Sequence, residues 1–208
     1  MEPPNTPHSD TTLEEQQHHP ATNEKTVVEW NGPHDPANPL NWPAHRKWIT
    51  ACTACVVTFL VGINATGIAS AADEINTDFG ISDEMFPNSY WPVTSWNVAA
   101  AVSPLFILPL MENFGVAYSY IVICFVFCIS VIPQGLAHSF ATLIGVRILS
   151  GVCAGVLQNV TGGIICDMWD DKRARSVPLS LFALGLLGGT TFGPVFGGAV
   201  ISPLDWRW

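Results

Sequence analysis

Five long apolar runs constrain this chain more than any other feature of its sequence. They cover roughly residues 48–72, 89–111, 117–137, 141–165 and 177–201. Each run is long enough to cross a bilayer core of about 30 Å at about 1.5 Å per helical residue. None alternates strictly between apolar and polar residues, which argues against barrel strands. Charged residues make up only 12% of the 208, against about 25% in soluble domains. The sequence therefore predicts an all-α, polytopic membrane protein.

The first 41 residues differ in composition from the rest of the chain. They are rich in Pro, His, Gln, Thr and Glu and carry few large apolar side chains, so they cannot offset the entropy of folding. Residues 1–41 are predicted to be a disordered tail, and residues 42–208 a transmembrane helical domain. The start Met1-Glu2 leads into no apolar core, so it does not resemble a signal peptide.

Charged residues are distributed unevenly between the runs. The segment Asp73–Asn88, after the first run, carries five acidic residues and no basic one. Most basic residues precede the first run or follow the fourth, namely Lys25, Arg46, Lys47, Lys172, Arg173 and Arg175. The positive-inside rule then predicts a cytoplasmic N-terminus and an acidic segment outside. The chain is predicted to be a multi-pass integral membrane protein. The plasma membrane is favoured over the vacuolar membrane as its location.

One arginine lies inside the fourth apolar run. Arg147, Gly151 and Gly155 are four residues apart, so they share one face of a helix. A charge at membrane depth costs at least about 2.5 kcal/mol, and such groups are functional by default. We therefore favour a role for Arg147 in a substrate or proton path over a purely structural bond to a helix carbonyl. For the two glycines, close helix packing is the favoured interpretation, and Arg147 on the same face is predicted to be buried in the helix bundle rather than to face lipid.

The fifth run is rich in glycine around a proline. It contains Gly188 and Gly189, followed by Gly193-Pro194-Val-Phe-Gly197-Gly198, a pattern that predicts close helix packing combined with a bend. Other polar or aromatic side chains also lie at membrane depth. They either line a cavity or form hydrogen bonds between helices, and they are Asn64, Trp96, Asn97, Gln134, Gln158 and Asn159.

Several classes of function are disfavoured by the composition. The net charge of -9, with no basic patch, argues against a nucleic-acid partner. The six cysteines lie within or at the ends of apolar runs without histidines at ligand spacing, so they are interpreted as small packing residues, and no metal site is predicted. No catalytic triad or phosphate-binding loop is recognisable, so neither an enzyme nor a cofactor is expected.

Taken together, these motifs resemble the N-terminal half of the major facilitator superfamily, specifically fungal drug:proton antiporters with twelve helices. The resemblance is carried by Arg147-Ile-Leu-Ser-Gly151-Val-Cys-Ala-Gly155, by Gly193-Pro194-Val-Phe-Gly197-Gly198, by Asp167 followed by Lys172-Arg173-Ala-Arg175, and by the lead-in Asp35-Pro-Ala-Asn-Pro-Leu-Asn-Trp42. It implies five spans of a six-helix bundle plus the start of a sixth. It also implies export of a small organic molecule by proton antiport, with the lipid bilayer and a C-terminal half as partners.

One family element is altered in this chain. The loop after the second run reads Pro109-Leu-Met-Glu112-Asn-Phe-Gly115-Val-Ala, where the family places two basic residues after the glycine. The resemblance implies that those basic residues pair with the acidic end of the fourth helix. Asp167 therefore lacks its expected partner unless Lys172 or Arg173 replaces it.

The alternative to a transporter is a truncated membrane fragment that only packs, or associates with a full-length homologue. Six or seven further apolar runs encoded downstream of Trp208 would favour the transporter, and a stop codon would favour the fragment. We expect the 208-residue chain alone not to transport, because an alternating-access site forms between two halves. In the isolated chain, we also expect the face bearing Arg147, near mid-depth, to meet lipid or another copy of the chain.

Overall fold

The computed structural model describes residue 32 and residues 35–81, 88–202 and 206. These residues form six α-helices connected by short segments, and no strand occurs among them. The helices are α1 (Ala44–Gly67), α2 (Ala72–Phe79), α3 (Trp91–Phe114), α4 (Val116–Gly135), α5 (Phe140–Met168) and α6 (Lys172–Ile201). Short 3₁₀-helices cover Pro39–Asn41, Ile68–Ala71 and Asn88–Tyr90.

Five helical segments are long and apolar enough to cross a membrane. They are Ala44–Phe79, which joins α1 to α2, then Asn88–Phe114, Val116–Gly135, Phe140–Met168 and Lys172–Ile201. These five segments correspond to the five predicted runs, with ends shifted by a few residues. The predicted all-α, multi-pass membrane class is confirmed.

The acidic segment after the first run is only partly a loop. Its first residues form α2, where Asp73 and Glu74 occupy the first turn and so interact favourably with the helix dipole. Ile75 is 1% exposed and anchors this short helix to the bundle. Gly80 adopts φ +62°, and the Ile81 N–H donates to Asn76 O at 2.9 Å, which closes the helix end. Residues 82–87 lie outside the described residues.

The predicted tail also differs from the structure near its end. Pro39–Asn41 form a 3₁₀-helix because the Asn38 side chain accepts from the Leu40 N–H at 3.0 Å. The Trp42 indole N–H donates to Pro36 O at 3.2 Å and closes the same turn. Regular structure therefore begins inside the region predicted to be disordered. Residues 1–31 and 33–34 of that tail lie outside the described residues.

Helix α5 lies at the centre of the bundle. It packs mainly against α3 and α4, while α1 packs mainly along α6. Buried side chains of α1, α3, α4 and α5 meet in one core, which includes Val61, Ala65, Trp96, Phe127, Cys153, Ala154 and Leu157. The arginine of α5 lies next to this core.

Candidate functional site

Arg147 is fully buried in the helix bundle, with 0% of its surface exposed. It is the eighth residue of the 29-residue helix α5, so it lies about 10 Å along the axis from Phe140. The predicted burial is thus confirmed. The expectation that Arg147 would meet lipid is wrong, because α1, α3 and α4 cover its side chain.

The guanidinium donates to three backbone carbonyls on two neighbouring helices. Nη1 donates to Asn64 O at 2.7 Å, Nη2 to Ala65 O at 2.8 Å, and Nε to Pro92 O at 3.0 Å. Two side-chain oxygens complete the set, since Nη1 lies 3.3 Å from Asn64 Oδ1 and 3.4 Å from Gln134 Oε1. Arg147 therefore ties α5 to α1, α3 and α4 at one level.

The carbonyls of α1 are available because the α-helix ends there. An α-helix leaves its last four carbonyls without intrahelical donors, and α1 ends at Gly67. The N–H of the next residue, Ile68, bonds to Thr66 O, so Asn64 O is without its usual donor. Arg147 supplies the missing donor, and its positive charge lies at the negative end of the helix dipole.

Carbonyl dipoles and an aromatic ring, rather than a carboxylate, surround this charge. Within the described ranges, no acidic side chain forms an ion pair with Arg147. The Trp96 ring is 3% exposed, and its centroid lies 5.8 Å from Arg147 Cζ. A buried charge is tolerated when its hydrogen bonds are satisfied, and most of the N–H groups of Arg147 have acceptors here. The carbonyl bond that we disfavoured as a purely structural alternative is the interaction that forms.

A cavity of about 440 Å³ lies beside this network, bounded by α1, α4 and α6. Asn64, Gln134 and Arg147 form its polar wall, and Asn64 Nδ2 lies 3.4 Å from Gln134 Oε1. The rest of the wall is mostly apolar or glycine and includes Ile63, Ile68, Val131, Ile132, Phe196 and Val200. The cavity therefore combines a broad apolar surface with one polar corner.

The other predicted cavity residues lie elsewhere. Asn97 is exposed and its amide donates to Val93 O of the same helix at 2.9 Å. Asn159 is also exposed and donates to Gly155 O at 2.7 Å, while Gln158 is half-buried. These three residues do not line the cavity beside Arg147.

The glycines of α6 form a close interface with α1. At Gly193, a methyl group would overlap the Thr66 hydroxyl, and at Gly197 it would overlap Gly67 O. At Gly198, no atom lies within 4 Å of the same position, so this glycine does not contribute to the interface. Nearer the N-terminus of α6, a methyl group on Gly189 would overlap Phe59 O.

Pro194 leaves one carbonyl of α6 without a helical donor, because proline has no N–H for the carbonyl four residues earlier. That carbonyl belongs to Thr190, and the Thr66 hydroxyl on α1 donates to it at 2.9 Å. One turn farther along, the Ser70 hydroxyl donates to Pro194 O at 2.8 Å. The Gly-Pro element of α6 is thus bonded as well as packed against α1.

The altered loop between α3 and α4 consists of one connecting residue. Gly115 joins α3 directly to α4 with φ +92°. Residues other than glycine rarely adopt this backbone conformation, which explains why a glycine occupies this position. Glu112 and Asp167 are both exposed. In the part of the chain that is described, Asp167 forms no ion pair with Lys172 or Arg173.

Residues that the sequence did not single out carry several of these contacts. The hydroxyls of Thr66 and Ser70 bond the end of α1 and the following 3₁₀-helix to α6. The Ser103 hydroxyl donates to Val152 O at 2.9 Å. The hydroxyl oxygens of Tyr120 and Thr161 are 3.1 Å apart. The signal available for Thr66 is Pro194, since a proline within a membrane helix requires an outside donor for the carbonyl that it leaves free.

Five helical segments long and apolar enough to cross a membrane, a buried arginine and a glycine–proline interface are the features of a polytopic membrane protein. Residues 54–208 match the family model described as Major Facilitator Superfamily. The chain belongs to this superfamily of membrane transporters, as the motifs of α5 and α6 predicted.

Fungal transporters are similar over most of the chain. The efflux pump radE of Floropilus chiversii is 30% identical over 88% of this chain and 33% of its own length. An ascochitine biosynthesis cluster transporter of Didymella fabae is 32% identical over 88% of the chain and 35% of its own. The transporter cpaT of Aspergillus oryzae is 32% identical over 91% of the chain and 37% of its own. The chain spans about a third of the length of these curated relatives.

Proposed function

We propose that this chain is the N-terminal part of a proton-coupled exporter of small organic molecules. The observation that carries the proposal is the cavity beside Arg147, which places one polar corner within an apolar wall between membrane-crossing helices. Ligand pockets commonly combine a mostly apolar lining with a few polar groups that fix orientation. The name of one relative, an efflux pump, supports export as the direction. The membrane is proposed to be the plasma membrane, with the N-terminus in the cytoplasm.

Within this proposal, Asn64 and Gln134 contact the substrate and Arg147 holds them in place. Asn64 is half-buried and Gln134 is 9% exposed, whereas Arg147 is completely buried and most of its N–H groups have acceptors. A nearby positive charge lets the site accept an anionic or electron-rich group and disfavours a cation. The exposed carboxylates Glu112 and Asp167, together with Arg173, are proposed to act at the cytoplasmic end, where the family's conformational latch would form.

Transport by the chain continued with its downstream coding sequence tests this proposal. We expect Asn64→Ala and Gln134→Ala to lower the initial rate of dye or drug export from proteoliposomes with an imposed pH gradient. Asn97→Ala and Asn159→Ala are matched controls, because both amides are exposed and bond only to their own helices. Equal rates in all four variants, at equal insertion, would contradict a substrate role for this cavity.

The second candidate function is a non-transporting fragment that packs or associates with a full-length homologue. It applies if the coding sequence stops after Trp208, since the chain spans about a third of the length of its relatives. Reconstitution of the 208-residue chain alone distinguishes the two. Saturable, gradient-dependent transport by this chain would contradict the fragment and would require a complete pathway built from copies of it.

A further inference from the structure

The segment Asn64–Ser70, where α1 passes into the following 3₁₀-helix, is held from two sides by two different helices. On one side, Arg147 of α5 donates to the carbonyls of Asn64 and Ala65. On the other side, the hydroxyls of Thr66 and Ser70 donate to carbonyls of α6. The stretch Asn64–Ser70 is also where α1 changes from α-helix to 3₁₀-helix. Contacts from α5 and α6 thus meet at the place where the helix changes its winding.

Thr66 lies between these two sets of contacts. Its Oγ1 is 2.9 Å from Thr190 O on α6 and 3.3 Å from Gly62 O on its own helix. A hydroxyl has one hydrogen to donate, and the shorter distance identifies Thr190 O as the main acceptor. That acceptor lacks a helical donor because Pro194 has no N–H. The sequence of α6 itself therefore leaves the carbonyl of Thr190 in need of a donor from another helix.

We propose that Thr66 is a positioning residue that couples Arg147 to Pro194 through a single joint, the segment Asn64–Ser70 at the junction of α1 and the 3₁₀-helix. The hydroxyl of Thr66 fixes the joint to α6, and Arg147 fixes the carbonyl that is left free where α1 stops being an α-helix. Loss of the Thr66 bond to α6 weakens the Arg147 bonds to α1, and the reverse also holds, because both sets of bonds act on the same backbone segment. This coupling is a property of the helix bundle and does not depend on what is transported.

Hydrogen exchange of the whole chain in lipid nanodiscs tests the attachment to α6. Thr66→Val keeps the shape of the side chain but removes the donor. We expect the amides of residues 67–71 to exchange about tenfold faster, as loss of one hydrogen bond implies. Thr66→Ser restores the donor and is expected to keep exchange near the wild-type rate. Equal exchange in the Val variant and the wild type would overturn the role of the hydroxyl.

The role of Pro194 in leaving Thr190 O without a helical donor is tested by repeating the Thr66→Val comparison in a Pro194→Ala background. Pro194→Ala returns an N–H to α6, so Thr190 O regains a helical donor. The effect of Thr66→Val on residues 67–71 is then expected to fall from about tenfold to less than about twofold. The same tenfold effect in both backgrounds would overturn the link between Thr66 and the proline.

The coupling to Arg147 requires a third comparison. Independent attachments multiply their effects on exchange, whereas attachments that share one joint do not. We expect Arg147→Gln to accelerate the same amides, and Thr66→Val to add little to that variant. If Arg147→Gln fails to insert, Arg147→Lys replaces it in the cycle. Effects that simply multiply in the double variant would overturn the coupling.

Discussion

The carbonyl oxygen of Ala100 on α3 faces Gly155 on α5 so closely that a methyl group at Gly155 would overlap it. This carbonyl lacks its usual helical donor, because the residue four positions later is Pro104. One turn earlier on α5, Gly151 meets Trp96 O in the same way. The contact between α3 and α5 is thus a backbone-to-backbone approach that only glycine permits.

The first prediction concerns this approach. Gly155→Ala is expected to destabilise the bundle by about 1–3 kcal/mol, because the added methyl forces α3 and α5 apart. Gly163→Ala on the same helix is the control, since no atom lies within 4 Å of its methyl position. Unfolding in mixed micelles, followed by circular dichroism, measures both. Equal stabilities of the two variants would contradict the close approach.

The Gly-Pro motif of α6 allows a second comparison. Gly193→Ala places a methyl group against the Thr66 hydroxyl and is expected to lower stability by about 1–3 kcal/mol. Gly198→Ala lies in open space, so it is expected to be neutral or to stabilise the helix by up to about 1 kcal/mol. The same unfolding assay reports both values, and the reverse order would show that α6 is rotated relative to this structure.

A third prediction concerns the buried charge. Arg147→Gln leaves several carbonyls without a donor, so we expect the free energy of unfolding to fall by at least about 2 kcal/mol. Arg147→Lys keeps the charge but reaches fewer acceptors, so its loss should be smaller. Arg173→Gln, at an exposed side chain, is expected to stay within about 0.5 kcal/mol of the wild type. A stable Arg147→Gln variant would contradict the structural role.

The orientation across the membrane is the fourth prediction. In a background without the six native cysteines, Glu74→Cys on α2 is expected to react with an impermeant maleimide in intact cells. Ala174→Cys, exposed near the start of α6, should react only after permeabilisation. This follows from the cytoplasmic position predicted for the basic residues. The opposite labelling pattern would invert the topology.

The connection between α3 and α4 gives the fifth prediction. Gly115→Ala is expected to cost about 1–3 kcal/mol, because a side chain at φ +92° is strained whatever the surrounding space. Gly145→Ala, also with no atom within 4 Å of its methyl position, is the matched control without a positive φ. A thermal melt of each variant in the same detergent measures the difference. Identical melting temperatures would indicate that this connection relaxes freely.

The helices could be predicted because apolar length is a property of a sequence window. The burial of Arg147 could also be predicted, because Arg147 shares one helix face with Gly151 and Gly155, and small residues mark a face that packs against another helix. The acceptors of its hydrogen bonds could not be predicted, because they depend on where α1 stops being an α-helix. Similarly, Gly197 and Gly198 are equivalent in the sequence, but neighbouring residues of a helix point about 100° apart, and only Gly197 meets α1.

The 3₁₀ turn Ile68–Ala71 sets the direction in which α2 faces. A 3₁₀-helix has about 3.0 residues per turn and rises about 2.0 Å per residue, against about 3.6 residues and 1.5 Å in an α-helix. Rewinding these four residues as an α-helix would rotate α2 by about 80° and draw it about 2 Å towards α1. Ile75 would leave its buried position, and the carboxylates of Asp73 and Glu74 would sweep around the end of the bundle. The winding of a single turn thus decides which way the negative charge of this end points.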